Sequence, residues 1–445
     1  MRPLSALCVV VISCMMLFTH SVIAAPISLM QAIDLTLQYN DDLASKQASF
    51  DADKELIDQA KANVRPAIDL RHTIGNSRYS TAYFQDLDDR YTRTTLALVQ
   101  PLYSAQRLIN LERSEEIVQV SELEFESHKQ SKLLELIEAY ITLLKYQKAT
   151  VIAQQEVDDH LIKMQRLESM LSKGLTTKMD TLEARSVLDE LNSNLIATKN
   201  DALVSKTRLS RLLGRPVENI VQIDEYLWQR SNAILMNTQW HSLVMENALA
   251  IELSRKEYDV AQSDLRIESA AHLPEVNFRM ELVRNEAYDS SIIKDKKIQL
   301  EIMVPIYHGG MIASKSRAAQ SQLKSKLHKI NDSERLVKVQ LDEMLTKLEG
   351  GVAKIEAYEK SMLSNQAYLE AAQKGMAYGL RGLFDVLEAK SRLYTAQRKL
   401  TFEMYDNIFS QFEFLYLLGM LDRSTVSHYL NPSFSFNSLS VAPTN

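Results

Sequence analysis

Cysteine is nearly absent from this chain of 445 residues. The two cysteines, Cys8 and Cys14, both lie near the N-terminus, in an apolar run that is short for a transmembrane anchor. Residues 1–24 end in a small-residue pattern at Val22 and Ala24, which is typical of a secretory signal peptide cleaved after Ala24. We therefore expect a secreted mature chain without cysteine, which excludes disulfides and thiol chemistry.

Glycine and proline are scarce, with 11 and 9 copies. Since these two residues interrupt helices, their scarcity favours long helices. Residues 104–173 contain neither, and their apolar side chains recur three and four positions apart, as in an amphipathic helix. Such a helix would be on the order of 100 Å long, which indicates coiled-coil or barrel-like packing rather than a globular core. A second long stretch that is typical of a helix, 311–377, contains Gly350 and Gly351, where we expect a bend or local loosening.

An excess of positive charge and the common catalytic motifs are also lacking. The formal net charge of −6 does not suggest binding to nucleic acid. The histidines are scattered, without the spacing of metal ligands. No glycine-rich phosphate loop or nucleophile elbow occurs. The sequence therefore predicts no catalytic, cofactor-binding or metal site, and a protein that is not an enzyme.

The chain repeats itself. The stretch GLTTKMDTLEARSVL at 174–188 and the stretch GLRGLFDVLEAKSRL at 379–393 share eight residues at a shift of 205 positions. QPLY at 100–103 and VPIY at 304–307 repeat at a shift of 204. The same order of landmarks in both halves indicates an internal tandem duplication.

The duplication predicts the division of the chain. Each repeat is expected to contain a helix, two strands, a long helix and a last helix. The predicted parts are a signal peptide at 1–24, a first repeat at 25–214, an insertion at 215–240, a second repeat at 241–419, and a C-terminal segment with a mobile tail at 420–445.

Two short segments in each repeat alternate between apolar and polar residues. They are 67–78 with 91–101, and 275–284 with 296–305. Such alternation predicts strands with one apolar and one polar face. Two interpretations stay open on this pattern: a soluble sheet with one exposed side, or part of a transmembrane β-barrel.

A barrel would require several chains. Four strands cannot close a barrel, because about eight are the practical minimum, and open strand edges are not tolerated in lipid. Two chains would supply eight strands and three would supply twelve. The residues predicted to face lipid are Phe278, Met280, Leu282, Ile298, Leu300 and Ile302.

Several motifs carry a resemblance to a known family. VPIYHGG precedes the second long helix, and GLRGLFDVLEAKSRLYTAQRKL is followed by Tyr405 and Asp406. With the signal peptide, the duplicated body and the proline-terminated strand pairs, these motifs resemble the TolC family of outer-membrane export ducts.

The resemblance implies the fold class and the assembly. The fold would be mostly α with a β part: a long α-helical barrel in the periplasm, and four transmembrane strands per protomer. A homotrimer would share a twelve-stranded barrel that contacts the lipid of the cell outer membrane. At the far end of the helices, a periplasmic adaptor protein and an inner-membrane ABC or proton-driven pump would dock. Protein cargo, as in type I secretion, and small-molecule efflux both stay open.

The resemblance also implies a periplasmic gate at the helix tips. An Arg–Asp link between neighbouring tips corresponds to Arg381 and Asp180. The family's tyrosine at this latch is not matched, since Met376 takes its place and Tyr378 lies two residues further on. The alternative is an ordinary solvated charge cluster on exposed helices.

Two more carboxylates belong to the predicted gate. Asp385 and Glu388 are three residues apart on one helix and share a face. Threefold symmetry would arrange them as two rings of carboxylates, which attract cations.

One other class of function is compatible with the long helices. A secreted periplasmic coiled-coil scaffold or adhesin would need them too. Such a protein would not need the two alternating strand pairs, and it would not need detergent for extraction.

Overall fold

The computed structural model describes residues 26–81, 84–286 and 292–431. The predicted signal peptide at 1–24 and the end of the predicted mobile tail lie outside the described residues.

In the part of the first half that the structure describes, there are four helices and two strands. The single first helix that the repeat predicts is two helices here, because Asn40 ends the first and caps the second, accepting a hydrogen bond from the Leu43 N–H at 3.1 Å. The elements are α1 (Leu29–Tyr39), α2 (Asp41–Ala62), β1 (Ala67–Thr81), β2 (Phe84–Tyr103), α3 (Ala105–Ser172) and α4 (Lys178–Leu213).

The second half repeats this order after a short helical segment. The long helices α3 and α8 have 68 and 67 residues, and the last helices, α4 and α9, have 36 and 35. The elements are a 3-10 helix (Glu225–Gln229), α5 (Arg230–Met236), α6 (Trp240–Asn247), α7 (Leu249–Ala270), β3 (Glu275–Glu286), β4 (Ile292–Met303), α8 (Met311–Ala377), α9 (Leu383–Leu417) and α10 (Arg423–Leu430).

The glycine pair in α8 does not loosen the helix, which is continuous through both residues. A Cβ atom on Gly351 would lie 2.6 Å from Nδ2 of Asn407 in α9, whereas a Cβ on Gly350 would meet nothing within 4 Å. The expectation of local loosening is therefore wrong: Gly351 allows the two helices to approach closely.

The four described strands form one antiparallel sheet in the order β1-β2-β3-β4. β1 and β2 are longer than predicted, pairing as far as Thr81 and Phe84. Each strand pair leaves the helices and returns to them, so the four helices that flank the strands, α2, α3, α7 and α8, join the sheet at the same end. β1 and β4 are the two edges of the sheet.

The main hydrophobic core lies around the middle of α3 and α8 and the C-terminal half of α9, where α1, α10 and the segment between the halves pack against them. The Tyr140 hydroxyl of α3 lies 2.6 Å from the carbonyl oxygen of Val221 and 2.9 Å from that of Ile27. This contact fastens both the N-terminal segment and the segment between the halves to α3. This core contains residues from both halves and from the segment between them. The halves therefore share one core, and the predicted domain boundaries stay predictions.

Within the described residues, none of the helices combines the length and the apolar character that crossing a membrane requires.

Candidate functional site

The register of the sheet places the six predicted lipid-facing residues on one face. Directly opposed residues of antiparallel strands share a face, and Phe278 lies opposite Leu300, as Met280 does opposite Ile298. Ile298 and Leu300 are 70% and 61% exposed in the protomer. Contact of these residues with lipid stays a prediction. The apolar positions of this face are Ile68, Leu70 and Ile74 on β1, Leu96 and Leu98 on β2, Val276, Phe278, Met280 and Leu282 on β3, and Ile292, Ile298, Leu300 and Ile302 on β4.

The opposite face of the sheet is polar. Arg279 lies between two carboxylates, with Nη1 3.5 Å from Oε1 of Glu281 and Nη2 3.7 Å from Oε2 of Glu301. Lys297 Nζ is 3.2 Å from Oδ2 of Asp295. A sheet with this division can line a water-filled passage on one side and contact an apolar medium on the other.

The two helix hairpins end in equivalent turns. Gly174, between α3 and α4, and Gly379, between α8 and α9, have φ angles of 72° and 71°. After each glycine, the next N–H bonds back across the turn: Leu175 to the Met170 carbonyl at 2.9 Å, and Leu380 to the Gly375 carbonyl at 2.8 Å. Both hairpins therefore close with the same glycine-dependent helix end.

Asp180 and Asp385 occupy equivalent places just after these turns. Oδ2 of Asp180 accepts hydrogen bonds from the Thr177 N–H at 3.0 Å and the Thr176 hydroxyl at 2.9 Å. Oδ2 of Asp385 accepts one from the Gly382 N–H at 2.8 Å. Hydrogen bonding, chiefly to Thr177, lowers the pKa of Asp180, so this carboxylate stays ionised. Both aspartates cap their own helices, whatever else they do in an assembly.

The other predicted gate residues lie on the same tip. Arg381 Nη1 is 3.8 Å from Oδ1 of Asp385, and Arg392 Nη2 is 2.6 Å from Oε1 of Glu388. The Asp180 partners that the structure records belong to its own turn, so the Arg381–Asp180 link stays a prediction about neighbouring protomers. The Tyr378 side chain is 81% exposed beside this tip.

Sequence reasoning missed a group of polar and charged side chains between α3 and α9, which we call the seam. The seam consists of Glu156, Asp159, His160 and Lys163 on α3, and of Lys390, Ser391, Tyr394 and Arg398 on α9. Glu156 is buried and accepts a hydrogen bond from Ser391 at 3.0 Å. Lys390 and Tyr394 both contact the carboxylate of Asp159. These polar contacts join the hairpin α3–α4 to the hairpin α8–α9.

Burial shifts the charge states within this seam. It raises the pKa of Glu156 and lowers the pKa values of His160 and Lys163. Burial acts to raise the pKa of Asp159 too, but hydrogen bonds from Lys390 and Tyr394 outweigh it, and that pKa is lowered. Residues of this kind look like solvated helix charges in a sequence, and only the packing of two helices buries them.

No group of His, Cys, Asp or Glu side chains in the described ranges is arranged to hold a metal ion.

Comparisons with known proteins agree with this geometry. The model of a family described as outer membrane efflux protein matches residues 32–215 and 240–402. The outer membrane protein TolC of Escherichia coli (strain K12) is 22% identical over 434 residues, which cover 94% of this chain and 87% of that protein. The alkaline protease secretion protein AprF of Pseudomonas aeruginosa is 23% identical over 337 residues, covering 74% and 70%.

A solved structure has the same fold. The outer membrane protein VceC from Vibrio cholerae superposes with a TM-score of 0.74 at 17% sequence identity. The match covers 88% of this chain and 96% of that one.

Proposed function

This chain belongs to the outer membrane efflux protein family and is an outer-membrane exit duct; we propose that it works as a homotrimer gated at its helix tips. The observation that carries the proposal is a four-stranded sheet with one apolar face, joined at one end to helices of 68 and 67 residues. The sheet crosses the outer membrane, and the helices extend into the periplasm.

The edges of the sheet support a closed oligomer. β1 leaves the helices and β4 returns to them, so β4 of one protomer can pair antiparallel with β1 of the next. An exposed strand edge is not tolerated in lipid. Eight strands, from two chains, enclose an interior that side chains just fill, so an open duct favours three chains and twelve strands.

The polar face of the sheet lines the lumen of this barrel, and the cargo passes along it. The partners are a periplasmic adaptor protein and an inner-membrane pump of the ABC or proton-driven class, which dock at the helix tips. AprF is named for protease secretion and the family for efflux, so both protein and small-molecule cargo fit this chain. Cargo selection belongs to the pump.

The gate consists of Asp180, Arg381, Asp385 and Glu388. Arg381 links to Asp180 of a neighbouring tip and holds the duct shut. The Asp385 carboxylates form the stronger of two cation-attracting rings, because Arg392 lies 2.6 Å from Glu388 and compensates its charge, whereas Arg381 is 3.8 Å from Asp385.

The assembly is tested by native mass spectrometry of protein purified in mild detergent. We expect a trimer that survives dilution. A stable folded monomer would contradict the shared barrel, and extraction without detergent would favour the coiled-coil scaffold or adhesin instead.

The latch is tested by single-channel conductance in planar bilayers. The double variant Arg381→Ser with Asp180→Asn should raise the resting conductance, because Asn keeps an oxygen that can cap α4 while removing the charge. Arg185→Ser is the matched control, since Arg185 Nη2 pairs with Oε1 of Glu168 at 3.0 Å within one hairpin. Equal conductance in the double variant and the parent places the latch elsewhere.

A further inference from the structure

Towards the end away from the helices, a polar row that carries basic side chains interrupts the apolar face of the sheet. The register places His72, Thr94, Arg284 and Lys294 opposite one another across β1 to β4. Lys296 lies one step nearer the helices on the same face. We propose that this basic row binds the phosphate groups of an anionic lipid headgroup in the outer leaflet. The inference rests on the proposed function, because it requires the apolar face to contact lipid.

The topology fixes the height of the row. β1 and β3 run away from the helices, and β2 and β4 return, so this row lies beyond the row of Leu282 as counted from the helices. One row further out, Ile74 and Ile292 share the face with Thr92 and Glu286. Successive rows on one face are two residues apart, or about 6.6 Å along a strand. The row of Leu70 and Leu96 comes immediately before it. With the helices in the periplasm, the basic row and the mixed row beyond it lie where the hydrocarbon of the outer leaflet gives way to headgroups.

Two lysines supply the positive charge of this row that is left without an ion-pair partner among the described residues. Arg284 contacts the carboxylate of Glu286 on its own strand, which neutralises it in part. Lys294 and Lys296 are exposed, and neither forms an ion pair with any residue in the described part of the chain. Lys297 differs, since it points to the opposite face and pairs with Asp295.

A hollow lies among these basic side chains. It measures about 550 Å³, within the range of about 300–1,000 Å³ that is usual for small-ligand sites. His72 and Thr94 close one side of it, with Nδ1 of the histidine 2.9 Å from Oγ1 of the threonine. Glu286, which pairs with Arg284, also borders the hollow, as do Val283 and Asp295 from the other face by register. The hollow can hold a phosphate group together with part of the sugar or glycerol that carries it.

The chemistry of the surface favours a lipid over a free anion. Ammonium and guanidinium groups form charge-assisted hydrogen bonds with phosphate oxygens. The stems of Lys294 and Lys296 can lie along apolar surface while their heads reach the polar boundary. One molecule with acyl chains and a phosphate matches both the apolar rows and the basic row, whereas inorganic phosphate matches only the second.

The test uses the full trimer in detergent, titrated with lipid A that carries two phosphates, and native mass spectrometry to measure the bound fraction. The double variant Lys294→Gln with Lys296→Gln should bind this lipid roughly thirtyfold more weakly, as expected when two lysines at an anionic lipid surface lose their charge. Lys297→Gln, a neighbouring lysine on the other face, should bind within about twofold of the parent. Dephosphorylated lipid A should bind the parent and the double variant equally.

Each other result overturns the inference. Equal retention of phosphorylated and dephosphorylated lipid shows that the phosphate is not recognised. Equal loss in Lys297→Gln shows a general charge effect. Lysine-dependent binding of inorganic phosphate alone shows a free-anion site.

A separate variant distinguishes this failure from failure of the proposed function. In the variant Leu300→Trp, lipids brominated in their acyl chains should quench the fluorescence of the new tryptophan if the apolar face contacts lipid. If the fluorescence is quenched but lipid A binding does not depend on its phosphates, only the headgroup site is overturned. Absence of quenching overturns the lipid-facing orientation itself, and the headgroup site with it.

Discussion

Substitution of Leu300 by arginine tests the orientation of the sheet most directly. Leu300 lies opposite Phe278 and between Ile298 and Ile302 on the same face of β4. The apolar rows run from Ile302, opposite Val276, to the row of Leu282, six residues along β3, or about 20 Å at 3.3 Å per residue. Leu300 is in the second of these rows and is 61% exposed in the protomer.

The expected cost follows from that position. Arginine on the lipid face of a barrel costs about 2–4 kcal/mol near the bilayer midplane and falls towards zero at the interfaces. A trimer carries three copies at separate sites, so the total cost should be about 6–12 kcal/mol at midplane depth, since distant sites add. We expect Leu300→Arg to lower the denaturant midpoint of trimers folded in lipid vesicles and to reduce the yield of assembled trimer.

Gln299→Arg is the matched control, because it adds the same side chain one residue away on the polar face. Its register partner is Arg279, which lies near two carboxylates, so the cost should stay below about 1 kcal/mol. The measurement is equilibrium unfolding in vesicles, followed by the fraction of trimer that remains. Equal destabilisation by the two substitutions would refute the proposed lipid-facing side of β4.

The remaining predictions concern the helices. Gly350→Ala should stabilise the protein by about 0.5–1 kcal/mol, since the added Cβ meets open space. Gly351→Ala should destabilise it, because the added Cβ would lie 2.6 Å from Nδ2 of Asn407, a side chain that other hydrogen bonds hold in place. Thermal unfolding of the two variants checks both expectations. Asp385→Asn should weaken block of the channel by multivalent cations while keeping an oxygen for the helix cap, and unchanged block would place the cation site elsewhere. Burial lowers the folded-state pKa of His160, so the unfolded chain takes up a proton first, near the ordinary value of 6.5, and stability falls as the pH drops through that value. His160→Gln should remove part of this acid sensitivity, as measured by melting temperature at about pH 7.5 and 5.5; an identical pH dependence in both proteins contradicts the role of this histidine.

The sequence by itself determined the elements whose cause is local. The period of the apolar residues and the absence of Gly and Pro predict α3 to within one residue at each end, because helix formation depends on neighbours three and four positions away. Alternation of apolar and polar residues predicts the strands, because the face of a strand residue depends on neighbours two positions away. The cap at Asp180 also has a local signal, since Thr177 and Asp180 have the spacing of a capping box.

The tertiary structure decided what depends on residues far apart in the chain. Sequence gives each strand a face, but only the register aligns Arg284 with Lys294 and Thr94, because a shift of one residue would exchange the faces. Gly351 looks like a helix breaker until Asn407, 56 positions away, is packed against it. Glu156 looks like a solvated charge until α9 covers it. Burial and register are properties of pairs of elements, and local periodicity does not contain them.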